Sequence, residues 1–178
     1  VKCVNWLNEK KGDAIFLDIP SSLKECLKNW SINFELLNKL DALITDEDII
    51  EMRKIDKPIA NLESDLELLA PVPNPQSFRD FYAFEQHVRS ARKLRGLDMH
   101  PDWFKIPIFY YSNSVALFGH REKINYPRGT SELDFELEFA VILADGGTNI
   151  SSESATDYIA GYTICNDWSA RDLQREEM

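Results

Sequence analysis

Cysteine and long apolar runs are both scarce in this sequence, and their scarcity excludes two classes of protein. Cys3, Cys26 and Cys165 form an odd set without a CxxC pair or a nearby histidine, so neither a disulfide framework nor a zinc module is predicted. The longest uninterrupted apolar stretch, residues 139–144, is far shorter than the roughly 20 residues that span a bilayer. We therefore expect a cytoplasmic protein with no membrane insertion.

Basic residues are also in deficit. Thirty Asp and Glu residues against twenty Lys and Arg residues give a net charge of −10, which repels nucleic-acid phosphates and anionic lipid surfaces. Nucleic acids and membranes are therefore not expected as partners. A small anionic substrate remains compatible with this charge if a metal ion or a few local cations reverse the potential inside one pocket.

Three prolines within residues 71–75 mark a division of the chain, because proline is excluded from helix interiors and central strands. We place a domain boundary there, between residues 1–70 and 71–178. The chain begins without Met and stops inside a predicted helix, so we expect it to be part of a longer polypeptide. The patterns predict a strand at 14–19, helices at 21–30, 33–43, 77–96 and 169–178, and strands within 106–119, 133–143 and 160–167.

The segment LDFELEFAVIL is the clearest strand, and its alternation places acidic side chains on one face. Asp134, Glu136 and Glu138 point one way, while the apolar side chains between them point the other way. Neighbouring carboxylates repel one another and stay ionised on a half-buried strand only opposite a cation or strong donors. Such oxygen ligands suit Mg²⁺, Ca²⁺ or Mn²⁺. The alternative is an ordinary antiparallel strand with a solvated acidic face.

Asp80 and His87 stand seven residues apart in the predicted helix 77–96, a spacing of two turns that places them on nearly one face. A carboxylate that holds a metal beside a histidine that moves protons suits a metal-assisted reaction. The alternative is structural: Ser77 and Asp80 have the spacing of a capping box, and a lone helical histidine is commonly exposed.

The segment CNDWSARDLQ holds a further polar group. Asp167 is predicted at the junction of a strand and a helix, where side chains and free backbone donors commonly face a ligand. Arg171 and Gln174, spaced i, i+3, suit the carboxylate and the carbonyl of a substrate. The alternative is a helix cap at Ser169 with Asp172 at its third position, which leaves Asp167 and Arg171 unexplained.

Four segments in this order resemble the fumarylacetoacetate hydrolase superfamily: RDFYAFEQH, FYYSNSVALFG, LDFELEFAVIL and YIAGYTICNDWSARDLQ. The resemblance covers residues 71–178. It implies an α+β fold with layered mixed β-sheets, of which these residues form the first part, preceded by a small variable N-terminal domain in residues 1–70. It also implies a homodimer. The implied site residues are Asp80, Glu136, Glu138 and Asp167 as metal ligands, His87 as general base, and Tyr110, Arg171 and Gln174 as substrate contacts.

The resemblance further implies a reaction class. It is hydrolysis of a carbon–carbon bond in a small 1,3-diketo or acylpyruvate-type oxo-acid, similar to fumarylacetoacetate, with a divalent cation that we expect to be Mg²⁺, or else Ca²⁺ or Mn²⁺. Decarboxylases, hydratases and isomerases on this scaffold share the acidic ligands, and a non-catalytic metal- or metabolite-binding fragment is the alternative from another class. In the family, a lysine and an acidic partner of the histidine lie beyond the last residue of this chain.

Overall fold

The computed structural model describes residues 2–12 and 17–177. Contacts divide the chain into two compact units, one formed by Val1–Pro71 with Gly119–Met178 and the other by Val72–Phe118. Half of the strand predicted at 14–19 falls on residues outside the described ranges, and the other half, residues 17–19, is not a strand in the structure. The assignment of 1–70 and 71–178 to two family domains stays a prediction.

The N-terminal part of the first unit is helical. Its helices are α1 (Lys2–Lys11), α2 (Leu23–Cys26), α3 (Trp30–Leu43) and α4 (Asp46–Lys54), and a 3₁₀ turn at Leu27–Asn29 follows α2. The helix predicted at 33–43 is therefore confirmed, and the one predicted at 21–30 is a short helix that continues as the 3₁₀ turn.

Helices α1 and α4 are linked by ion pairs, and each of them carries a buried apolar side chain. Leu7 on α1 and Met52 on α4 are among the most completely buried side chains. Asp48 forms a capping box with Thr45 at the start of α4 and also binds the ammonium groups of Lys10 and Lys11 at 3.0 and 2.9 Å. The Thr45 N–H and then the two lysines hold the pKa of Asp48 well below its usual value. Asp48 is therefore a structural acid.

The rest of the first unit is built on a long antiparallel hairpin. Strand β3 (Leu133–Leu143) pairs with β4 (Ile159–Ala170), and one irregularity in register lies between Ile142 and Leu143. Both strand predictions in this region are confirmed, although β4 runs three residues further than predicted. Alternation of side chains along both strands gives the hairpin one acidic and one apolar face. Helix α6 (Arg171–Glu177) begins directly after β4.

The second unit contains β1 (Arg79–Phe81), α5 (Glu85–Leu94) and β2 (Phe109–Tyr111), with a 3₁₀ turn at Pro101–Phe104. Strands β1 and β2 form an antiparallel pair. The helix predicted at 77–96 is therefore wrong in its first half. Aromatic residues favour strand pairing when a complementary strand is available, and β2 supplies three of them. The predicted end of the helix is confirmed, because Gly96 lies just beyond α5 with φ of +71°.

The fold class is a mixture of helices and antiparallel strands, as an α+β fold requires. The part of the chain that the structure describes contains two sheets of two strands each. The layered mixed sheets implied by the family resemblance stay a prediction. Within residues 2–12 and 17–177, no helix has both the length and the apolar character needed to cross a membrane.

Candidate metal centre

The acidic face of the β3–β4 hairpin brings together three of the predicted metal ligands. The register pairs Glu136 with Asp167 and Glu138 with Cys165, so Glu136, Glu138 and Asp167 all lie on the same face. One carboxylate oxygen of Glu138 lies within 4.8 Å of one carboxylate oxygen of Asp167. The two strands thus place carboxylate oxygens that could ligate a metal next to each other. The alternation in the sequence predicted such an arrangement only within β3.

The acidic face is the more buried face of the hairpin. Glu136, Glu138 and Asp167 are half-buried. In contrast, the opposite face leaves apolar side chains exposed, with 63% of Phe135 and 76% of Leu137 accessible. The alternative of a solvated acidic face therefore describes Asp134, which is exposed, but not these three acids. Half-buried carboxylates that face one another are costly unless cations or donors compensate them.

One compensating cation is Arg171, the first residue of α6. Its Nη1 donates to Glu136 Oε1 at 2.5 Å, and its Nε donates to Asp134 Oδ2 at 2.9 Å. The same Nη1 lies 3.1 Å from Gln174 Oε1, so the predicted i, i+3 proximity of Arg171 and Gln174 is confirmed. Arg171 thus links two acids of β3. One is Glu136, which we predicted as a metal ligand, and the other is Asp134, for which the sequence predicted no role.

The protonation of these groups follows from their contacts. Partial burial lowers the pKa of Arg171, but its hydrogen bonds to Glu136 and Asp134 outweigh this effect and raise the pKa overall. The pKa of Asp134 is lowered, first by the backbone N–H of Phe135 and then by Arg171. Both members of the Arg171–Asp134 pair are therefore charged at neutral pH.

Helix α6 is hydrogen-bonded to the segment that leads into β3, and these bonds fix the position of Arg171 at the start of the helix. Asp172 accepts hydrogen bonds from the Thr130 hydroxyl and, at 2.8 Å, from the Ser131 N–H. These bonds lower the pKa of Asp172 to about 2. Arg175 forms two bonds of 2.9 Å with the carboxylate of Glu132. The contacts on both sides of α6 hold its first turn beside β3.

One alternative and one prediction in this region are wrong. Ser169 does not cap α6, because it lies within β4, and Asp172 binds residues 130–131 rather than the start of a helix at Ser169. Asp167 is not at the junction of strand and helix, because β4 continues to Ala170. The ladder with β3 extends the strand to that point, and a partner strand was not visible in the local pattern of β4.

The other predicted site residues lie in the second unit. Asp80 on β1 is directly opposite Tyr110 on β2, and the Tyr110 hydroxyl donates to Asp80 Oδ2 at 2.7 Å. Asp80, a predicted metal ligand, is thus hydrogen-bonded to Tyr110, a predicted substrate contact. His87, near the start of α5, is exposed, and its ring meets that of Tyr82 edge to face at 5.9 Å.

The structure corrects the relation that we predicted between Asp80 and His87. They do not share a helix face, because Asp80 belongs to a strand and His87 to a helix. The alternative of a capping box formed by Ser77 and Asp80 is wrong for the same reason. The roles that the resemblance implies for Asp80 and His87, as metal ligand and general base, stay predictions.

The hairpin donors fit a hard divalent cation. They are carboxylate oxygens, two of them lie within reach of one ion, and their face is partly withdrawn from water. The role of Asp134 beside Arg171 was missed by sequence reasoning. The two-residue periodicity that grouped Asp134 with Glu136 was an available signal for it.

Comparison with known proteins agrees with the family resemblance. The family model described as fumarylacetoacetate (FAA) hydrolase C-terminal matches residues 76–178, which is more than half of the chain. A fumarylacetoacetase from Arabidopsis thaliana is 29% identical over 80% of this chain and 37% of its own length. The oxaloacetate tautomerase YisK from Bacillus subtilis is 34% identical over 63% of this chain and 36% of its own length. The chain thus spans well under half the length of these relatives.

A crystal structure of a candidate HpcE protein from Mycobacterium smegmatis resembles the fold, with a TM-score of 0.58 at 19% identity over 94% of this chain and 50% of that protein. This likeness supports the fold alone. The match of the family model to residues 76–178 carries the assignment. The chain therefore belongs to the fumarylacetoacetate hydrolase family.

Proposed function

We propose that this chain forms the metal-binding part of an enzyme that hydrolyses a carbon–carbon bond in a small 1,3-diketo or acylpyruvate-type oxo-acid. The observation that carries the proposal is the half-buried acidic face of the β3–β4 hairpin, where oxygens of Glu138 and Asp167 lie within 4.8 Å of each other. Two carboxylates this close repel each other, and a divalent cation is a ligand partner that suits their oxygen atoms.

In this proposal, Glu138 and Asp167 hold the cation, and the family resemblance adds Glu136 and Asp80 to them. A bound Mg²⁺, or else Mn²⁺ or Ca²⁺, would supply Lewis-acid polarisation of the carbonyl oxygens of the substrate. The hydrogen bond from Tyr110 fixes one oxygen of Asp80 and thereby orients its carboxylate. The phenolic oxygen of Tyr110 keeps acceptor capacity for a substrate donor.

The remaining residues of the proposal act on the substrate and on water. His87 takes a proton from the water whose oxygen bonds to the substrate carbonyl carbon. The bond between that carbon and the neighbouring carbon then breaks, and the carbon that leaves with the electron pair takes up a proton. Arg171 and Gln174 bind the carboxylate and a carbonyl of the substrate. The products are a carboxylic acid and a 2-oxo acid or a ketone.

A second candidate reaction is tautomerisation of a 2-oxo dicarboxylate. The observation that favours it is the 34% identity with a protein named as an oxaloacetate tautomerase. This reaction needs the same cation site and a proton-transfer group, but no attacking water. Decarboxylation and hydration on this scaffold are further alternatives. A homodimer in the cytoplasm remains our prediction for the assembly and its location.

Hydrolysis is tested by the loss of ultraviolet absorbance of an acylpyruvate, measured in the intact protein before and after removal of metal with a chelator. We expect activity to disappear with the metal and to return when Mg²⁺ or Mn²⁺ is added. Glu138→Gln and Asp167→Asn should abolish the metal response. Glu35→Gln, which neutralises an exposed acid on α3, is the matched control and should leave it intact. Full activity without metal would contradict the proposal.

Tautomerisation is distinguished from hydrolysis by its products. With oxaloacetate in deuterated water, a tautomerase exchanges the hydrogens next to the ketone without forming a new acid, and nuclear magnetic resonance detects this exchange. Conversion of an acylpyruvate into two acids supports the hydrolase instead. Metal binding without either reaction would favour the non-catalytic alternative.

A further inference from the structure

We infer that Arg171 competes with the divalent cation for Glu136, and that Asp134 is the positioning residue that keeps Arg171 at the site when the cation takes Glu136. This inference rests on the proposed function, because it concerns the same cation. It assigns a role to Asp134, which belongs neither to the predicted ligands nor to the predicted substrate contacts.

The geometry gives Arg171 two carboxylate partners at different nitrogens. Nη1 binds Glu136 and Nε binds Asp134, and these acids stand two residues apart on the same face of β3. The Glu136 side chain is 23% exposed, whereas that of Asp134 is 49% exposed. The guanidinium therefore bridges an inner carboxylate, next to Glu138, and an outer one at the end of the acidic row.

Charge repulsion predicts that the contact between Arg171 and Glu136 breaks when the cation binds. A cation that binds Glu138 and Asp167 repels the guanidinium beside Glu136, because two positive groups would then share one carboxylate. The contact between Nε and Asp134 lies at the other side of the guanidinium. Rotation about this second contact releases Nη1 from Glu136 without releasing Arg171 from β3.

The consequence is a link between metal binding and substrate binding. Before the cation binds, Nη1 of Arg171 donates to both Glu136 and Gln174. After it binds, Nη1 is released from Glu136 and can join Nη2 in binding a carboxylate of the substrate, while Asp134 still holds Nε. The planar fork of arginine suits this division, and the single ammonium of lysine does not.

The first experiment measures Mn²⁺ affinity by calorimetry in the intact protein. Arg171→Gln removes the competitor and should tighten Mn²⁺ binding by roughly five- to tenfold, within the usual range of coupling between sites. Arg171→Lys keeps the charge and should change it much less. Arg175→Gln is the matched control on the same helix, because its partner Glu132 is not a proposed ligand. It should change Mn²⁺ affinity by less than about twofold, as expected for an exposed charge.

The role of Asp134 is tested by a double-mutant cycle with pyruvate as the probe. Asp134→Asn should weaken pyruvate binding to the Mn²⁺-loaded protein, and the same change should have little further effect in the Arg171→Gln background. Equal effects in both backgrounds would show that Asp134 acts independently of Arg171 and would overturn the positioning role.

The two proposals fail in different ways. If the wild-type protein does not bind Mn²⁺, or if Glu138→Gln leaves the affinity unchanged, the proposed metal site is wrong. If Mn²⁺ binds through Glu138 but Arg171→Gln and Arg175→Gln have equal effects, the site stands and the competition for Glu136 is refuted. Circular dichroism and thermal melts of each variant control for a loss of the overall fold in the comparison.

Discussion

Asp167→Asn is expected to stabilise the metal-free protein and to remove its stabilisation by metal. Asn has the shape of Asp without its charge. In the hairpin, Asp167 stands directly opposite Glu136 and has an oxygen within 4.8 Å of one of Glu138. Like charges at these positions destabilise a pair of strands. If Asp167 serves to bind a metal, its charge should therefore lower the stability of the protein when the metal is absent.

The separation sets the size of the effect. Two unit charges about 4.8 Å apart repel by about 1 kcal/mol when water screens them and by about 3.5 kcal/mol at an effective dielectric constant of about 20. Asp167 and Glu138 are only half-buried, so water still screens their charges, and the positive charge of Arg171 beside Glu136 offsets part of the repulsion. We therefore expect Asp167→Asn to raise the free energy of unfolding by an amount near the lower value. Metal at 100 times its dissociation constant stabilises the wild-type protein by about 2.7 kcal/mol, which Asp167→Asn should lose.

Denaturant unfolding at pH 7, with a chelator and then with excess Mg²⁺, measures both quantities. The wild-type protein should show a large metal response and a lower metal-free stability, and Asp167→Asn should show the reverse. Glu138→Gln should behave in the same way, whereas Glu35→Gln should match the wild type. A variant that is less stable without metal, and still responds to Mg²⁺, would refute the reasoning from charge repulsion.

Three further predictions concern other parts of the chain. Gly119→Ala should lower the free energy of unfolding by about 1–3 kcal/mol, since its Cβ would lie 2.2 Å from the Leu68 carbonyl oxygen, and Gly161→Ala, with open space, is the control in thermal melts. Asp48→Asn should lower the melting temperature at pH 7, and the difference from the wild type should shrink as the pH falls below about 4, because the lowered pKa of Asp48 stabilises the fold only while its carboxylate is ionised. His87→Ala should reduce turnover by roughly 10²–10⁴-fold and leave calorimetric Mn²⁺ affinity nearly unchanged; full turnover would show that another base acts.

Local patterns were sufficient where one element contains its own signal. The alternation in residues 133–143 predicted β3 and the shared face of Glu136 and Glu138, since side-chain direction in a strand depends only on position along it. Helix α3 followed from apolar residues that recur at the helical period. Family-like segments then predicted which acids belong to a metal site.

Local patterns failed where a distant segment decides between conformations. Arg79–Phe81 reads as the start of a helix, but pairing with Phe109–Tyr111, about thirty residues away, makes it a strand. Pairing with β3 likewise carries β4 past Asp167 and removes the predicted cap at Ser169. Short segments have weak intrinsic preferences, and a ladder of backbone hydrogen bonds with cross-strand side-chain contacts outweighs them.

The sequence by itself determined that the chain carries an acidic strand within a set of family segments, and that the carboxylates of this strand share one face. Only the tertiary structure decided that this face is the more buried one, that Asp167 stands opposite Glu136, and that Arg171 binds both Asp134 and Glu136. The physical reason is that alternation sets direction within a strand, whereas burial and ion pairing depend on which other segments pack against it.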